Sequence, residues 1–167
     1  MSDEPDPQLD AIAAAFLAAG ARFVVIGGFA VIANGHVRAT RDVDLLVPDD
    51  EGNDVACERS LEALSGRWLD GRAIAAGDLN GRPHSRLSTR AGLVDLLREG
   101  EAPLDFATVE AGAIEADLGS GPFPLAGLES LVAFKRLARR PQDRVDLEEL
   151  ERIHGSLPQT SLPGGDA

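Results

Sequence analysis

The sequence predicts one α/β or α+β domain with a small mixed β-sheet, on three observations. A chain of 167 residues suits one compact domain with its own hydrophobic core. Its apolar fraction of 44% is typical of a soluble globular protein, and no apolar run approaches the roughly 18 residues that would span a bilayer. Segments with helical periodicity alternate with short runs rich in β-branched residues, which is the order expected when helices pack on a sheet.

The first part of the chain alternates between predicted helices and predicted strands. Residues 8–19 place apolar side chains at helical spacing and are followed by a glycine, so they predict a helix. Residues 21–28, "ARFVVIGG", predict a buried strand that ends in a tight turn at two glycines, and residues 29–35 a short helix. Residues 41–48, "RDVDLLVP", predict a second strand. Residues 49–66 begin with acids and predict an amphipathic helix.

The middle of the chain is more β-like. Residues 67–74 predict a weak strand, and residues 83–99 predict a hairpin that turns at residues 90–92. Residues 103–109, "PLDFATV", predict an additional edge strand.

The C-terminal part predicts two further helices and a disordered end. Residues 125–140 carry leucines at helical spacing, and a proline opens the last predicted helix, residues 141–155. The tail, residues 155–167, is rich in proline, glycine and serine and is expected to be disordered. With a flexible N-terminus at residues 1–7, the domain is expected to cover residues 8–154.

Charge and cysteine content narrow the functional classes. The net charge of −12 argues against broad electrostatic binding to nucleic acid or to anionic membranes, although the C-terminal helices are locally basic. The first residues, "MSDEPDPQ", lack the basic and apolar regions of a signal peptide, and a single cysteine, Cys57, fits a reducing compartment. We therefore expect a cytoplasmic protein with no membrane partner.

Two acids on the second predicted strand suggest a site. Asp42 and Asp44 lie two residues apart, so they share a face of the strand, while Val43 and Leu45 point to the core. Two neighbouring carboxylates repel one another in a partly buried setting, and a divalent cation removes that penalty. Mg²⁺ suits this geometry because it prefers oxygen ligands and is usually bound by one or two carboxylates and phosphate oxygens.

A third acid and a pair of glycines extend this pattern. Asp95, in "GLVDLLRE", also lies between aliphatic residues on a predicted strand, and three such acids can hold two metal ions. Its alternative role is an ion pair with Arg90 or Arg98. Gly27 and Gly28 lie where a strand meets a helix, a place where backbone N–H groups can approach a phosphate closely.

The glycine pair and the later Asp-Val-Asp together resemble the signature of the nucleotidyltransferase superfamily related to DNA polymerase β. The longer string "IGGFAVIANGHVRATRDVDLLV" is similar to the small prokaryotic branch that includes AbiEii-type toxins. One departure is the turn, which reads Asn-Gly-His here. A second segment, "LESLVAFKRLARRPQDRVDL", resembles the lysine-bearing C-terminal helix of that family. The resemblance covers roughly residues 8–152.

The resemblance implies a fold and a set of roles. The fold would be a mixed sheet with helices packed on one side, followed by C-terminal helices, with the site at the open edge of the sheet. The implied metal-binding and catalytic residues are Asp42, Asp44 and Asp95, with Mg²⁺ or Mn²⁺ as the cofactor. The implied nucleotide-binding residues are Gly27, Gly28, Arg38, Arg41 and Lys135.

The implied reaction is transfer of a nucleoside monophosphate from a nucleoside triphosphate to an acceptor hydroxyl. The acceptor stays open between RNA, protein and a small molecule, and a role as the toxin of a toxin–antitoxin pair stays open as well. A catalytically idle binding or regulatory module and a two-metal phosphodiesterase or nuclease are the alternatives. Because no separate acceptor-binding domain is evident, recognition is expected to involve a homodimer or a partner protein.

Overall fold

The computed structural model describes residues 5–162, and within that range six helices surround one seven-stranded sheet. The helices are α1 (Leu9–Ala18), α2 (Gly27–Ala33), α3 (Glu51–Ala63), α4 (Phe106–Ala111), α5 (Leu128–Ala138) and α6 (Pro141–His154). The strands are β1 (Val24–Ile26), β2 (Asp42–Val47), β3 (Arg67–Trp68), β4 (His84–Thr89), β5 (Gly92–Arg98), β6 (Ile114–Asp117) and β7 (Pro122–Leu125).

The sheet is mixed, which confirms the predicted fold class. Its strand order is β3-β4-β5-β2-β1-β7-β6. The central strand β2 runs parallel to β5 and antiparallel to β1, and β1 runs parallel to β7. Two hairpins, β4–β5 and β6–β7, flank these strands, and the short strand β3 pairs with the outer side of β4. The first of these turns where the sequence predicted, between Thr89 and Gly92.

Helices cover both faces of the sheet, and this corrects the expectation that they pack on one side. On one face, α1 and α3 pack against Val25 of β1 and against Val43 and Leu45 of β2. On the other face, α2, α4, α5 and α6 pack against Val24 of β1 and Leu46 of β2. Every residue of β1 is buried, and a strand with apolar side chains on both faces needs cover on both.

The segment predicted as an edge strand at residues 103–109 is instead a short helix, α4. Asp105 precedes this helix and its carboxylate accepts a hydrogen bond from the backbone N–H of Thr108, 3.1 Å away. Phe106 and Val109, three residues apart, are both buried on the face that packs towards the sheet. The N-terminal cap and this helical spacing outweigh the β propensity of the segment.

Strands β6 and β7 were not predicted. Most of β6 is exposed and therefore shows no apolar alternation, and β7 contains Pro122 and Pro124, which normally argue against a strand. Both strands lie at the outer side of the sheet beyond β1. The place of this hairpin in the sheet depends on the parallel pairing of β7 with β1, a long-range contact that local sequence does not report.

Part of the predicted disordered tail is described. Leu157 is buried with the α5–α6 layer, and the hydroxyl of Thr160 donates to Glu129 on α5 at 2.9 Å. Residues 1–4 and 163–167, which the terminal predictions also cover, lie outside the described residues. None of the helices between residues 5 and 162 has the length and apolar character that crossing a membrane requires.

Candidate active site

Three carboxylates meet on one face of the sheet, beside β1. In the parallel pairing of β2 with β5, Asp44 lies directly opposite Asp95, and Asp42 lies two residues earlier on the same face of β2. Each of the three acids offers an oxygen that lies within 4.8 Å of the others. The register of two strands thus brings together acids that are separated by fifty residues of chain.

Asp44 is the electrostatically strained member of this cluster. Burial, together with the charges of Asp42 and Asp95, raises the pKa of Asp44 to about 7, although Arg140 and Lys135 act in the opposite direction. Among the described residues, no cation forms an ion pair with its carboxylate. The ionised form of Asp44 is therefore poorly compensated by the protein itself.

Gly27 gives the Asp44 carboxylate its place. Its φ of +66° lies in the left-handed region that favours glycine, and a Cβ there would lie 2.0 Å from Asp44 Oδ2. Gly28 is confined in the same way, because a Cβ would lie 2.5 Å from the hydroxyl of Thr40. The glycine pair thus lets the start of α2 lie directly against residues 40–44. This close packing within the protein requires glycine at both positions, whether or not a phosphate binds there.

Asp95 is paired by two neighbours on β4. His84 Nε2 lies 2.8 Å from Asp95 Oδ1, placed to donate to it, and Arg86 Nη1 donates to Asp95 Oδ2 at 2.7 Å. The other terminal nitrogen of Arg86 lies 3.4 Å from Asp42 Oδ2. Burial nevertheless raises the pKa of Asp95, against the hydrogen bond from His84 and the charge of Arg86.

The two partners proposed for Asp95 from sequence were wrong. Arg98 pairs with Asp54 at 2.9 Å and with Asp49 at 3.1 Å, on the opposite side of the strand. Arg90 donates to the backbone carbonyl of Ala63. Alternation along a strand explains the outcome for Arg98, because residues three apart point to opposite faces.

A buried network of ions forms the other wall. Lys135 Nζ lies 2.8 Å from both Asp143 and Asp146, and only 5% of its side chain is exposed. Arg38 makes a two-pronged pair with Asp146, at 2.8 and 2.9 Å. Arg140 pairs with Asp143 at 3.0 Å, and its backbone N–H also donates to that carboxylate, which caps α6. The network therefore connects α5, α6 and the loop before β2.

The two aspartates of this network stay ionised. Burial opposes ionisation of both, but hydrogen bonds from Lys135 and Arg140 hold the pKa of Asp143 below its usual value. Hydrogen bonds from Arg38 and Lys135 do the same for Asp146. Three cations share two carboxylates, so the network keeps an excess of positive charge beside the acidic cluster.

These elements enclose one cleft. The sequence-predicted site residues all line its polar part, which has a volume of about 430 Å³: Gly27, Gly28, Arg38, Arg41, Asp42, Asp44, Asp95 and Lys135. Arg41 is exposed there, whereas Lys135 is buried. An adjoining part of about 210 Å³ has an apolar lining from β1, β5 and α5, formed by Ile26, Leu97, Leu131, Phe134 and Ala138. The cleft thus joins carboxylates, cations and an apolar surface.

Sequence reasoning missed several residues of this site. Arg86, Asp143 and Asp146 were given no role, and Arg140 counted only as part of the locally basic C-terminal helices. A signal for Arg86 was present, because a hairpin that turns between residues 89 and 92 places residue 86 opposite Asp95. Asp143 and Asp146 are three residues apart on a predicted helix and therefore share a face.

The acidic cluster fits a hard divalent cation. Its donors are carboxylate oxygens, the ligand type that Mg²⁺ and Mn²⁺ prefer, and they lie close enough to share an ion. Burial and the charges of Asp42 and Asp95 raise the pKa of Asp44, and a divalent cation bound between these carboxylates would offset both effects. Asp42, Asp44 and Asp95 are thus able to hold such an ion.

The chain has the nucleotidyltransferase fold. Neither a protein-family model nor a curated protein sequence matches it. Its structure is similar to the crystal structure of ANT(2")-Ia in complex with adenylyl-2"-tobramycin, with a TM-score of 0.54 and 16% identity over 85% of this chain and 84% of the other. The solution structure of the antibiotic-resistance factor ANT(2'')-Ia is similar as well, with a TM-score of 0.56 and 17% identity over 87% of this chain and 81% of the other. The crystal structure of an antigenic nucleotidyltransferase-like protein from Paracoccidioides brasiliensis has a TM-score of 0.51 and 17% identity over 89% of this chain and 78% of the other.

Proposed function

We propose that the protein is a metal-dependent nucleotidyltransferase that moves a nucleoside monophosphate from a nucleoside triphosphate to an acceptor hydroxyl. The observation that carries the proposal is the meeting of Asp42, Asp44 and Asp95 beside the glycine pair, in the cleft of a nucleotidyltransferase fold. The adenylyl product in the complex of ANT(2")-Ia is consistent with transfer from a nucleotide.

Each group in the cleft has a role in this proposal. Asp42 and Asp44 hold the Mg²⁺ or Mn²⁺, and Asp95 is a third ligand or accepts the proton of the acceptor hydroxyl. The bound ion supplies charge that stabilises the phosphate oxygens in the transition state. Backbone N–H groups at Gly27 and Gly28 and the side chains of Arg38, Arg41 and Lys135 bind the triphosphate. Because the buried network fixes two of these cations, the chain stabilises developing negative charge without rearranging at the moment of reaction.

A second candidate is a nucleotide-binding module without turnover. One observation favours it: both oxygens of the Asp95 carboxylate are already paired within the protein, by His84 and Arg86. A protein that keeps its third acid engaged would bind nucleotide and metal but would lack a free group to take the acceptor proton.

The proposal specifies only that the acceptor carries a hydroxyl group. RNA, protein and small molecules all meet that requirement. The more specific role, an AbiEii-type toxin of a toxin–antitoxin pair, is supported by the similarity of residues 26–47 to that branch. The proposal includes a homodimer or a partner protein that takes part in recognising the acceptor.

The test is transfer of label from each of the four α-labelled ribonucleoside triphosphates, with Mg²⁺ or Mn²⁺, in the presence of total cellular RNA, total protein or a panel of hydroxyl-bearing small molecules. Label in one acceptor pool, with release of pyrophosphate, is the expected result. Pyrophosphate release also separates this reaction from that of a phosphodiesterase. Asp42→Asn and Asp44→Asn should lose transfer, and Asp10→Asn, an exposed acid on α1, is the matched control.

Two outcomes would redirect the proposal. A nucleotide-dependent thermal shift that needs the divalent ion, but without label in any pool, would favour the binding module. Unchanged transfer by both Asp42→Asn and Asp44→Asn would remove the basis of the proposed site.

A further inference from the structure

We infer that Arg86 takes the position of a second cation, so that the nucleotide-free protein binds one divalent ion, held by Asp42 and Asp44, instead of two. The inference rests on the proposed function, because it concerns the same carboxylates. It assigns to Arg86 a role in setting how many ions the site takes.

The geometry places the Arg86 guanidinium between two of the three acids. One terminal nitrogen donates to Asp95 Oδ2 at 2.7 Å, and the other lies 3.4 Å from Asp42 Oδ2. A pair of divalent ions about 3.5 to 4 Å apart needs carboxylates that reach both ions. Arg86 holds Asp95 and one side of Asp42 in contacts that such an ion would have to replace.

The second oxygen of Asp95 is occupied as well. His84 Nε2 lies 2.8 Å from Asp95 Oδ1, so each Asp95 oxygen has a donor from β4. Only 7% of the Asp95 side chain is exposed, which leaves little freedom for it to turn away from these partners. Asp44, by contrast, makes no ion pair within residues 5–162, and Gly27 keeps room for its carboxylate. The ligands least committed to the protein are therefore Asp44 and the free side of Asp42.

The balance of charge agrees with one ion. A guanidinium does not lose its proton in proteins, so Arg86 is a permanent positive charge. Taken alone, the three ionised carboxylates and Arg86 carry a net negative charge that a single divalent ion neutralises. A second divalent ion would lie close to the guanidinium and would be repelled by it.

The position of Arg86 is fixed by the fold. The antiparallel pairing of β4 and β5 sets Arg86 opposite Asp95, and Asp95 in turn lies opposite Asp44 in the parallel pairing of β5 and β2. Arg86 thus lies on a strand that pairs with β5, and it is not on a loop that could move away at small cost.

The experiment counts bound ions directly. MnCl₂ alone is titrated into the metal-free full-length protein at pH 8, and free Mn²⁺ is measured by electron paramagnetic resonance. We expect one Mn²⁺ per chain in the wild type and two in Arg86→Gln, which keeps a polar side chain but removes the charge. Arg90→Gln, at the turn of the same hairpin and bonded to the Ala63 carbonyl, is the matched control and should bind one ion.

A second measurement does not depend on the folding of the Arg86 variant. Asp44→Asn should weaken Mn²⁺ binding by more than about 100-fold because it removes a ligand, whereas Asp95→Asn should weaken it by less than about tenfold. Loss of binding in Asp95→Asn as severe as in Asp44→Asn would overturn the inference.

The number of Mn²⁺ ions bound per chain distinguishes failure of this inference from failure of the proposed function. Two Mn²⁺ ions in the wild type, or one in a folded Arg86→Gln variant, would overturn the role of Arg86 and leave the metal-dependent transferase standing. No Mn²⁺ binding in the wild type would overturn both.

Discussion

The raised pKa of Asp44 predicts that this residue destabilises the protein at neutral and alkaline pH. Its pKa is raised from 3.8 to about 7 by burial and by the charges of Asp42 and Asp95. Between these two values the native state binds a proton that the unfolded state has lost, so the free energy of unfolding falls as the pH rises through this window. Replacing Asp44 by Asn removes the titration and should remove this loss.

The magnitude follows from the two pKa values. At about 1.4 kcal/mol for each pKa unit, the ionised form costs at most about 4 kcal/mol above pH 7. At pH 5 the native carboxyl is still protonated, and the cost relative to the acid limit is about 2 kcal/mol. The stability of Asp44→Asn relative to the wild type should therefore be greater at pH 8 than at pH 5 by roughly 2 to 3 kcal/mol.

Urea unfolding of both proteins at pH 5, 6.5 and 8, without divalent ions, measures this difference. Comparing pH values cancels any change in packing that the substitution itself causes. Mg²⁺ at pH 8 should raise the free energy of unfolding of the wild type but not of Asp44→Asn, because ligand binding stabilises only the state that binds. Asp10→Asn, which replaces an exposed acid on α1, is the control and should leave the pH dependence of the wild type unchanged.

A difference between Asp44→Asn and the wild type that is the same at pH 5 and pH 8 would refute the reasoning. The acidic cluster would then be compensated within the protein, and its repulsion would give no argument for a cation.

Three further predictions concern the surroundings of the site. Gly27→Ala should weaken Mn²⁺ binding at least about tenfold because its Cβ would lie 2.0 Å from Asp44 Oδ2; Gly20→Ala, with a similar positive φ and nothing within 4 Å, should cost stability alone, and equal effects on Mn²⁺ affinity would contradict this. Asp146→Asn should weaken ATP binding about tenfold because it releases the two cations that Asp146 positions. If only the loss of a negative charge mattered, ATP would bind more tightly, so the direction of the change in affinity, measured by calorimetry, distinguishes the two explanations. Asp54→Asn breaks a buried ion pair on the opposite face of the sheet and should lower the free energy of unfolding by about 3 kcal/mol, while Mn²⁺ affinity stays unchanged in the same titration.

Much of the fold could be predicted because its strongest signals are local. The helix at residues 8–19, the strand at residues 41–48 and the hairpin turn at residues 90–92 each follow from spacing or from turn residues, and the structure has all three. The prediction of a strand at residues 103–109 was wrong because a helix cap and two buried side chains outweighed the β propensity of the segment. The cover of both faces by helices was not predicted, although the apolar run of β1 indicated that both of its faces are buried.

For the candidate site, the sequence by itself determined which groups are available. The Asp-Val-Asp strand and the glycine pair before it are local patterns, and the eight residues selected from these patterns and from the family resemblance line one cleft. Their assignment as ligands and nucleotide contacts stays a prediction. These patterns specify the type of each residue and the face of the strand on which it lies, because side chains alternate between the two faces along a strand.

Only the tertiary structure decided how those groups are compensated. The parallel register of β2 and β5 sets Asp44 against Asp95, and the hairpin then brings Arg86 to the same two-strand junction. The packing of α6 on α5 places two aspartates around Lys135. These partners come from distant parts of the chain, and the strength of a charge interaction depends on distance and burial, which no local pattern encodes.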